Sequence, residues 1–268
     1  MLASIVKRNN VVTLGHGEQT LIFAHGFGSD QTAWRHQVEA FASSYRVVLF
    51  DHVGAGKSDM SAYSPRRYSS LYSYAEDLLD LCAELKLSQT IFVGHSVSGM
   101  VSLLAALVDP SRFQKLIFLG ASPRYVNDPE TQYIGGFEQS DLDALYDAMS
   151  SNYYAWVSGF APLAMGNPDR PELANEFAKT LSAIRPDIAQ AVARVIFQSD
   201  HRAELPKLKI PTVILQSNND IAVPTVVGDY LAQHLPNSTL VRIDAQGHFP
   251  HISAPHVVTQ TISECLAA

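Results

Sequence analysis

A serine set among small residues at the end of an apolar run is the first chemical signal in this sequence. The segment 90–94 is apolar and leads into Gly94-His95-Ser96-Val97-Ser98-Gly99, which continues as the helical run 100–108. A strand that turns sharply into a helix projects a strained serine hydroxyl above a sheet, and bulky neighbours would collide inside the turn. Gly94 and Ser98 meet that demand; the usual pattern ends in Gly, and here Ser98 precedes Gly99. Ser96 is the candidate nucleophile. A serine needs a base and the base an orienting acid, and in this arrangement they follow in the order acid, then histidine. After the apolar run 211–216, the polar loop 217–224 carries Asp220 at a strand end, and after the run 240–243 the loop 244–251 carries His248 beside Gly247. These two are the candidate acid and base. Six of the ten histidines precede the acid and His234 lies in a helical segment, which leaves His251 and His256 as rivals.

Near the N-terminus the run 21–24 enters His25-Gly26-Phe27-Gly28. A glycine-rich loop after an early strand supplies one N–H of an oxyanion hole, and the residue after the nucleophile supplies the other. The expected donors are the backbone amides of Phe27 and Val97, with His25 structural. Gly54-Ala55-Gly56-Lys57-Ser58 imitates the end of a phosphate-binding loop, but that motif needs glycine where Asp51 stands, and no helix pattern follows. It reads as a turn at a strand end. His248-x-x-His251 alone is weak evidence for a metal, so neither metal nor cofactor is expected.

These residues need a scaffold. Short β-branched or aromatic runs at 21–24, 46–50, 90–94, 116–119, 213–216 and 240–243 alternate with helical patterns, and several are apolar throughout, as strands buried on both faces are. Leu71, Tyr74, Ala75, Leu78, Cys82 and Leu85 recur at helical spacing, with Glu76, Asp77, Asp80 and Glu84 expected on the solvated side. The expected fold is α/β, a mostly parallel sheet flanked by helices, with its ligand site at the carboxyl ends of the strands. Between 123 and 200 the strand pattern stops and helical segments are punctuated by Asn-Asp-Pro, Gly-Gly and Asn-Pro turns. This reads as a helical insertion. Its large rings either roof a cavity or hold the insertion's own helices together.

Composition excludes several classes. The 268 residues are 47% hydrophobic and 17% charged, ordinary for a folded domain, and 19 Lys plus Arg stand against 26 Asp plus Glu. A net charge of −7 argues against a nucleic-acid partner. Cys82 and Cys265, far apart in helical patterns, read as buried hydrophobes rather than a disulfide or metal site. Lys7 and Arg8 stand where an export signal needs its apolar core, and the uncharged stretch 87–108 holds too many polar residues for a membrane span. A cytoplasmic protein without membrane contact is expected.

With these features in place, the chain resembles the α/β-hydrolase superfamily nearly end to end. More narrowly, it resembles the RsbQ-type bacterial stress regulators and the plant strigolactone and karrikin receptors. The resemblance is carried by His25-Gly-Phe-Gly-Ser-Asp-Gln31 with Trp34, Tyr45 to Asp51, Gly94 to Ser98, Ser122 to Asp128, Gly135 to Glu138, Gly159 to Leu163, Arg185 to Ile188 and Ser199 to Arg202. Gly94 to Ser98 and Gly159 to Leu163 look like the plant receptors; Asn167 to Glu172 and Ser199 to Arg202 look more like RsbQ. The resemblance implies a hydrolase core over 1–123 and 200–268 and a V-shaped four-helix lid over 124–199. It implies a triad of Ser96, Asp220 and His248, and a pocket for a small hydrophobic ester or lactone. By position Phe27, His95, Tyr125, Phe137, Trp156, Phe160, Phe197 and Ala222 match its lining. It further implies slow ester or lactone hydrolysis coupled to signalling, in RsbQ-like proteins through a PAS-containing PP2C-type phosphatase in a stress sigma-factor pathway. The alternative is a metabolic carboxylesterase or carbon–carbon bond hydrolase without a signalling partner.

Overall fold

The computed structural model describes residues 4–267 and arranges seven strands in one sheet, in the order β1-β3-β2-β4-β5-β6-β7. A short helix α1 (Ile5–Arg8) precedes β1 (Val12–Leu14), which runs antiparallel to β3. All other neighbours are parallel: β2 (Thr20–Ala24), β3 (Arg46–Phe50), β4 (Thr90–His95), β5 (Phe113–Leu119), β6 (Thr212–Asn219) and β7 (Ser238–Gln246). The sequence pattern predicts six of these strands and not β1, whose three residues are all exposed and which is held by its pairing to β3.

Strand alternation sends Ile22, Ala24, Val48, Phe50, Phe92 and Phe118 into one apolar cluster and Leu21, Phe23, Val47, Leu49, Val93 and Ile117 into another. The central strands therefore have no wet face, which is why they are apolar throughout. Phe41 of α2 (Arg35–Phe41) and Val258 and Ile262 of α11 (Pro255–Ala267), which follows the short α10 (Pro250–Ser253), cover the second face. The first is covered by α3 (Leu71–Glu84), α4 (Val97–Val108) and α9 (Thr225–His234). Among the described residues no helix is long and apolar enough to cross a membrane, and Cys82 and Cys265 are free and buried.

One residue of α3 departs from the spacing. Asp77 is buried, at 2% exposure, rather than on the solvated side. Its Oδ1 accepts from Arg8 Nη2 at 2.6 Å and Arg67 Nη2 at 2.8 Å, and its Oδ2 from Tyr68 Oη at 2.8 Å. A carboxylate leaves water only where donors replace its hydration, and here three do. The turn after β3 is likewise built on a carboxylate: Asp51 Oδ1 accepts from the Gln31 amide, and Oδ2 from the Lys57 amide and Asn10 Nδ2. A Cβ on Gly56 would lie 2.5 Å from Asp51 Cγ, so only glycine fits there.

Between β5 and β6 the chain forms α5 (Gln139–Ser151), α6 (Tyr153–Met165), α7 (Pro171–Ala183) and α8 (Pro186–Phe197). Asn152 caps α6 by accepting the Ala155 amide, and Gly166, at φ +65°, ends it. Helix α5 packs on α6 and α8, and α6 packs on α7. The two ends of this insertion are clamped together. Pro123 accepts the His201 amide at 2.8 Å, Arg124 pairs with Asp200 at 2.7 Å, and Arg202 holds both Asp128 and Asp200.

Candidate active site

The expected nucleophile makes the turn alone. β4 ends at His95, α4 begins at Val97, and Ser96 between them sits at φ +56°, ψ −123°. A non-glycine residue held there costs on the order of 1–3 kcal/mol, sustained only by surrounding structure. A Cβ on Gly94 would lie 2.7 Å from the Ser98 carbonyl, so the turn closes only over glycine. Ser98, the departure from the usual motif, has its own work. Its hydroxyl donates to the His25 carbonyl at 2.5 Å and accepts from His52 Nε2 at 2.7 Å, tying the turn to the loops after β2 and β3.

The relay is assembled from the carboxyl ends of β4, β6 and β7. His248 Nε2 lies 2.9 Å from Ser96 Oγ, and His248 Nδ1 lies 2.7 Å from Asp220 Oδ2. The other Asp220 oxygen accepts the amides of Ala222 and Val223, which fixes the carboxylate. Tyr125 Oη is 3.3 Å from Ser96 Oγ. Burial raises the Tyr125 phenol well above its ordinary pKa, against a smaller opposing effect of the Ser96 contact, so it keeps its proton.

Neither rival histidine is close to this role. His256 is exposed on α11. His251 is fully buried with both ring nitrogens unpartnered among the described residues, stacked on Trp34 at 4.4 Å; burial, reinforced by His248, pushes its pKa down to about 3.

The amides of Phe27 and Val97 have no hydrogen-bond partner among the described residues. Gly26 brings the loop over the nucleophile, since a Cβ there would lie 3.0 Å from Ser96 Cβ and 2.6 Å from His95 Nδ1. Two N–H groups thus stay free near one hydroxyl, the arrangement that stabilises an oxyanion. Among the described residues no group of three His, Cys, Asp or Glu side chains is placed to hold a metal ion.

Most of the expected lining residues form an aromatic arch. Phe197 meets Phe27, Tyr125 and Phe137 at ring separations of 6.2, 5.1 and 6.0 Å, and Trp156 stacks on Phe160 at 4.9 Å. Ala222 lies in the Asp220 turn through its amide. His95 does not belong with them. It is 0% exposed, donates from Nε2 to the His248 carbonyl at 2.7 Å, and packs behind that residue against Phe249 and His251. The reason is the sharpness of the turn: the side chain before the nucleophile points into the sheet while the nucleophile points out. Two features escaped the sequence pattern. One is the Tyr125 contact with Ser96. The other is an apolar cavity of about 40 Å³ between the oxyanion loop and α8, lined by Phe27 and Val97 but not by Tyr125. The helical spacing of Ile188, Ala189, Val192 and Ile196 signals a buried face on α8, but not what that face meets.

Comparison with known proteins agrees with the fold. The alpha/beta hydrolase fold family matches residues 19–255. The chain is 47% identical over 255 residues to the Karrikin insensitive 2 receptor CA of Petunia hybrida, covering 95% of this chain and 94% of that one. It is 41% identical over 264 residues to Strigolactone esterase D14 of Arabidopsis thaliana, covering 98% of each. Among solved structures, a hydrolase from Oleispira antarctica superposes with a TM-score of 0.95 at 36% identity, over 98% of this chain and 96% of that one. The chain belongs to the α/β hydrolase family.

Proposed function

We propose that this protein is a serine hydrolase that cleaves a small hydrophobic ester or lactone and senses that ligand through the same site. The observation that carries the reading is the hydrogen-bonded line from Asp220 through His248 to Ser96, beside two free amides. Ser96 Oγ gives its proton to His248 Nε2 as the oxygen bonds to the carbonyl carbon, and the carbonyl oxygen, now anionic, is held by the amides of Phe27 and Val97. The bond to the alcohol oxygen then breaks, and that oxygen takes the proton from His248. Water then gives a proton to His248 as its oxygen bonds to the acyl carbon; the bond from that carbon to Ser96 Oγ breaks, Oγ takes the proton back from His248, and the acid leaves. Asp220 holds the imidazole in the required tautomer throughout, and Tyr125 is placed to donate to the departing oxygen.

The test is Ser96→Ala, which deletes the attacking oxygen without adding bulk. Hydrolysis of p-nitrophenyl acetate should fall by roughly 10⁴ to 10⁶, and mass spectrometry of the parent should find an acyl group on Ser96. Parent-level cleavage by the variant would require another nucleophile.

The sensing half is supported by a relative named as a receptor beside another named as an esterase. A slow single turnover separates it from a metabolic esterase, for which turnover on the order of 10 per second on its own substrate is typical. A finer reading takes the insertion over 124–199 as a lid that docks a PAS/PP2C-type phosphatase, in the manner of RsbQ. Its support is the sequence resemblance and the acidity of that segment, five Lys plus Arg against ten Asp plus Glu. The two free, buried cysteines suit a reducing compartment such as the cytoplasm for this activity.

A further inference from the structure

An apolar cavity lies between the loop after β2 and α8. Its floor is the loop after β2, from His25 to Gly28, and the first turns of α4 at Val97 and Val101; its roof is α8 through Ala189, Val192 and Ile196. Helix α8 sits close because Gly54, at φ +98°, has no side chain: a Cβ there would stand 3.0 Å from Ile188 Cγ2. Both residues whose amides would hold the oxyanion, Phe27 and Val97, therefore line this space. Ser96 itself, His248, Asp220 and Tyr125 do not.

Three directions leave a carbonyl carbon bonded to Ser96 Oγ. Its oxygen must lie between the amides of Phe27 and Val97, and the departing oxygen must face His248 Nε2 to receive a proton. The third direction, the acyl substituent, is left to point away from His248. We infer that this cavity is the acyl compartment, which takes the short, uncharged aliphatic group on the carbonyl carbon, or the substituent beside it in a lactone. The alcohol half then lies under the aromatic arch. The inference rests on the serine-hydrolase reading and adds to it a substrate class.

Size and polarity set that class. A cavity of about 40 Å³ accommodates about three groups the size of a water molecule, each needing roughly 10–15 Å³, which suits a propionyl or butyryl group and not an octanoyl chain. No Asp, Glu, Lys or Arg lines it. Its polar wall is the His52 imidazole, which donates from Nε2 to Ser98 and is kept neutral by burial and by the neighbouring His25. A charged acyl group would find no partner there and would lose its water.

The experiment is an acyl-length series of p-nitrophenyl esters, acetate to octanoate, on the parent and on two variants of Val192, which is half-buried on α8. A methylene that fits or clashes in an apolar pocket is worth roughly 10- to 200-fold in kcat/KM. The parent should prefer propionate or butyrate over octanoate by at least about tenfold. Val192→Phe should lower the butyrate-to-acetate ratio by at least about tenfold, and Val192→Ala should raise the hexanoate-to-butyrate ratio. Ratios within one variant are independent of how much of it folds. If the parent cleaves every length equally, or if neither variant moves its ratio, the cavity is not the acyl compartment although Ser96 still works. Failure of the parent to cleave any ester, together with no labelling of Ser96 by a fluorophosphonate, would instead remove the serine-hydrolase reading and this inference with it.

Discussion

The backbone N–H of His248 donates to the carbonyl of Ala164 at 2.8 Å, so the imidazole facing the nucleophile is anchored to the last turn of α6. The contact depends on the residue beside it. Gly247 lies at φ +82°, and a Cβ there would stand 1.8 Å from the Met165 carbonyl, a clash with backbone that no side-chain rotation relieves. Gly247→Ala must therefore part the loop from α6 or twist the imidazole away from Ser96. A misplacement of about 1 Å costs on the order of 100-fold. Ester hydrolysis should fall by at least that much, and Tm should fall as well. Parent kinetics from this variant would show that the anchor does not position the base.

Comparing His248→Ala with His251→Ala distinguishes the base from its rival. The first should lose roughly 10⁴ to 10⁶ in kcat. The second removes a ring packed between Trp34 and His95, so it should lower stability by roughly 1–3 kcal/mol while kcat stays within a few-fold. A dead His251 variant beside an active His248 variant would reverse the assignment.

Acid should destabilise the fold through histidines that are buried neutral. Burial is the largest cause that lowers the pKa of His52, His95, His201 and His251, the last to about 3. Unfolded, each titrates near ~6.5. Between these values the unfolded chain binds protons that the folded chain does not, so their contribution is full above about pH 6.5 and is lost as pH falls. Each proton taken up steepens the loss by about 1.4 kcal/mol per pH unit. Urea midpoints measured from pH 7 to 5 should drop accordingly, and His251→Phe should flatten the slope by about one proton. A midpoint independent of pH over that range would contradict the burial of neutral rings.

The sequence carried the central sheet and the residues around Ser96 because both are local patterns. An apolar run, a small-residue turn and a loop polar residue after each strand can be read without knowing what lies across the molecule. What escaped was set by distant partners. Asp77 has the spacing of a solvated face, and its burial rests on donors off its own helix, Arg67, Tyr68 and, 69 positions away, Arg8. The strand Val12–Leu14 has neither alternation nor buried faces, and exists because Val48 offers it an edge. His95 seemed to line the pocket because it adjoins Ser96, yet the turn that exposes one side chain hides the other. The acyl cavity needs the loops after β2 and β3 together with α8, which the chain separates by more than a hundred residues.

The acidity of the insertion over 124–199 yields a last prediction. Much of that charge is already committed. Glu176 is paired in two places with Arg35, Asp187 with Arg185, and Asp128 with Arg202, while Asp141 caps α5 by accepting the Glu138 amide. Reversing Asp141 would fray a helix, whereas Asp147 and Glu172 are exposed and have no hydrogen-bond or ion-pair partner among the described residues. If this face docks a basic patch on a phosphatase-type partner, the on-rate should fall as salt shortens the screening length from about 10 Å at 0.1 M. Asp147→Lys with Glu172→Lys should then slow capture of such a partner by about tenfold at low salt and leave p-nitrophenyl ester cleavage at the parent rate, because neither residue touches the arch or the cavity. Equal loss of both activities would tie these acids to the pocket. Unchanged, salt-independent association would mean that the insertion's charge only keeps its helices solvated.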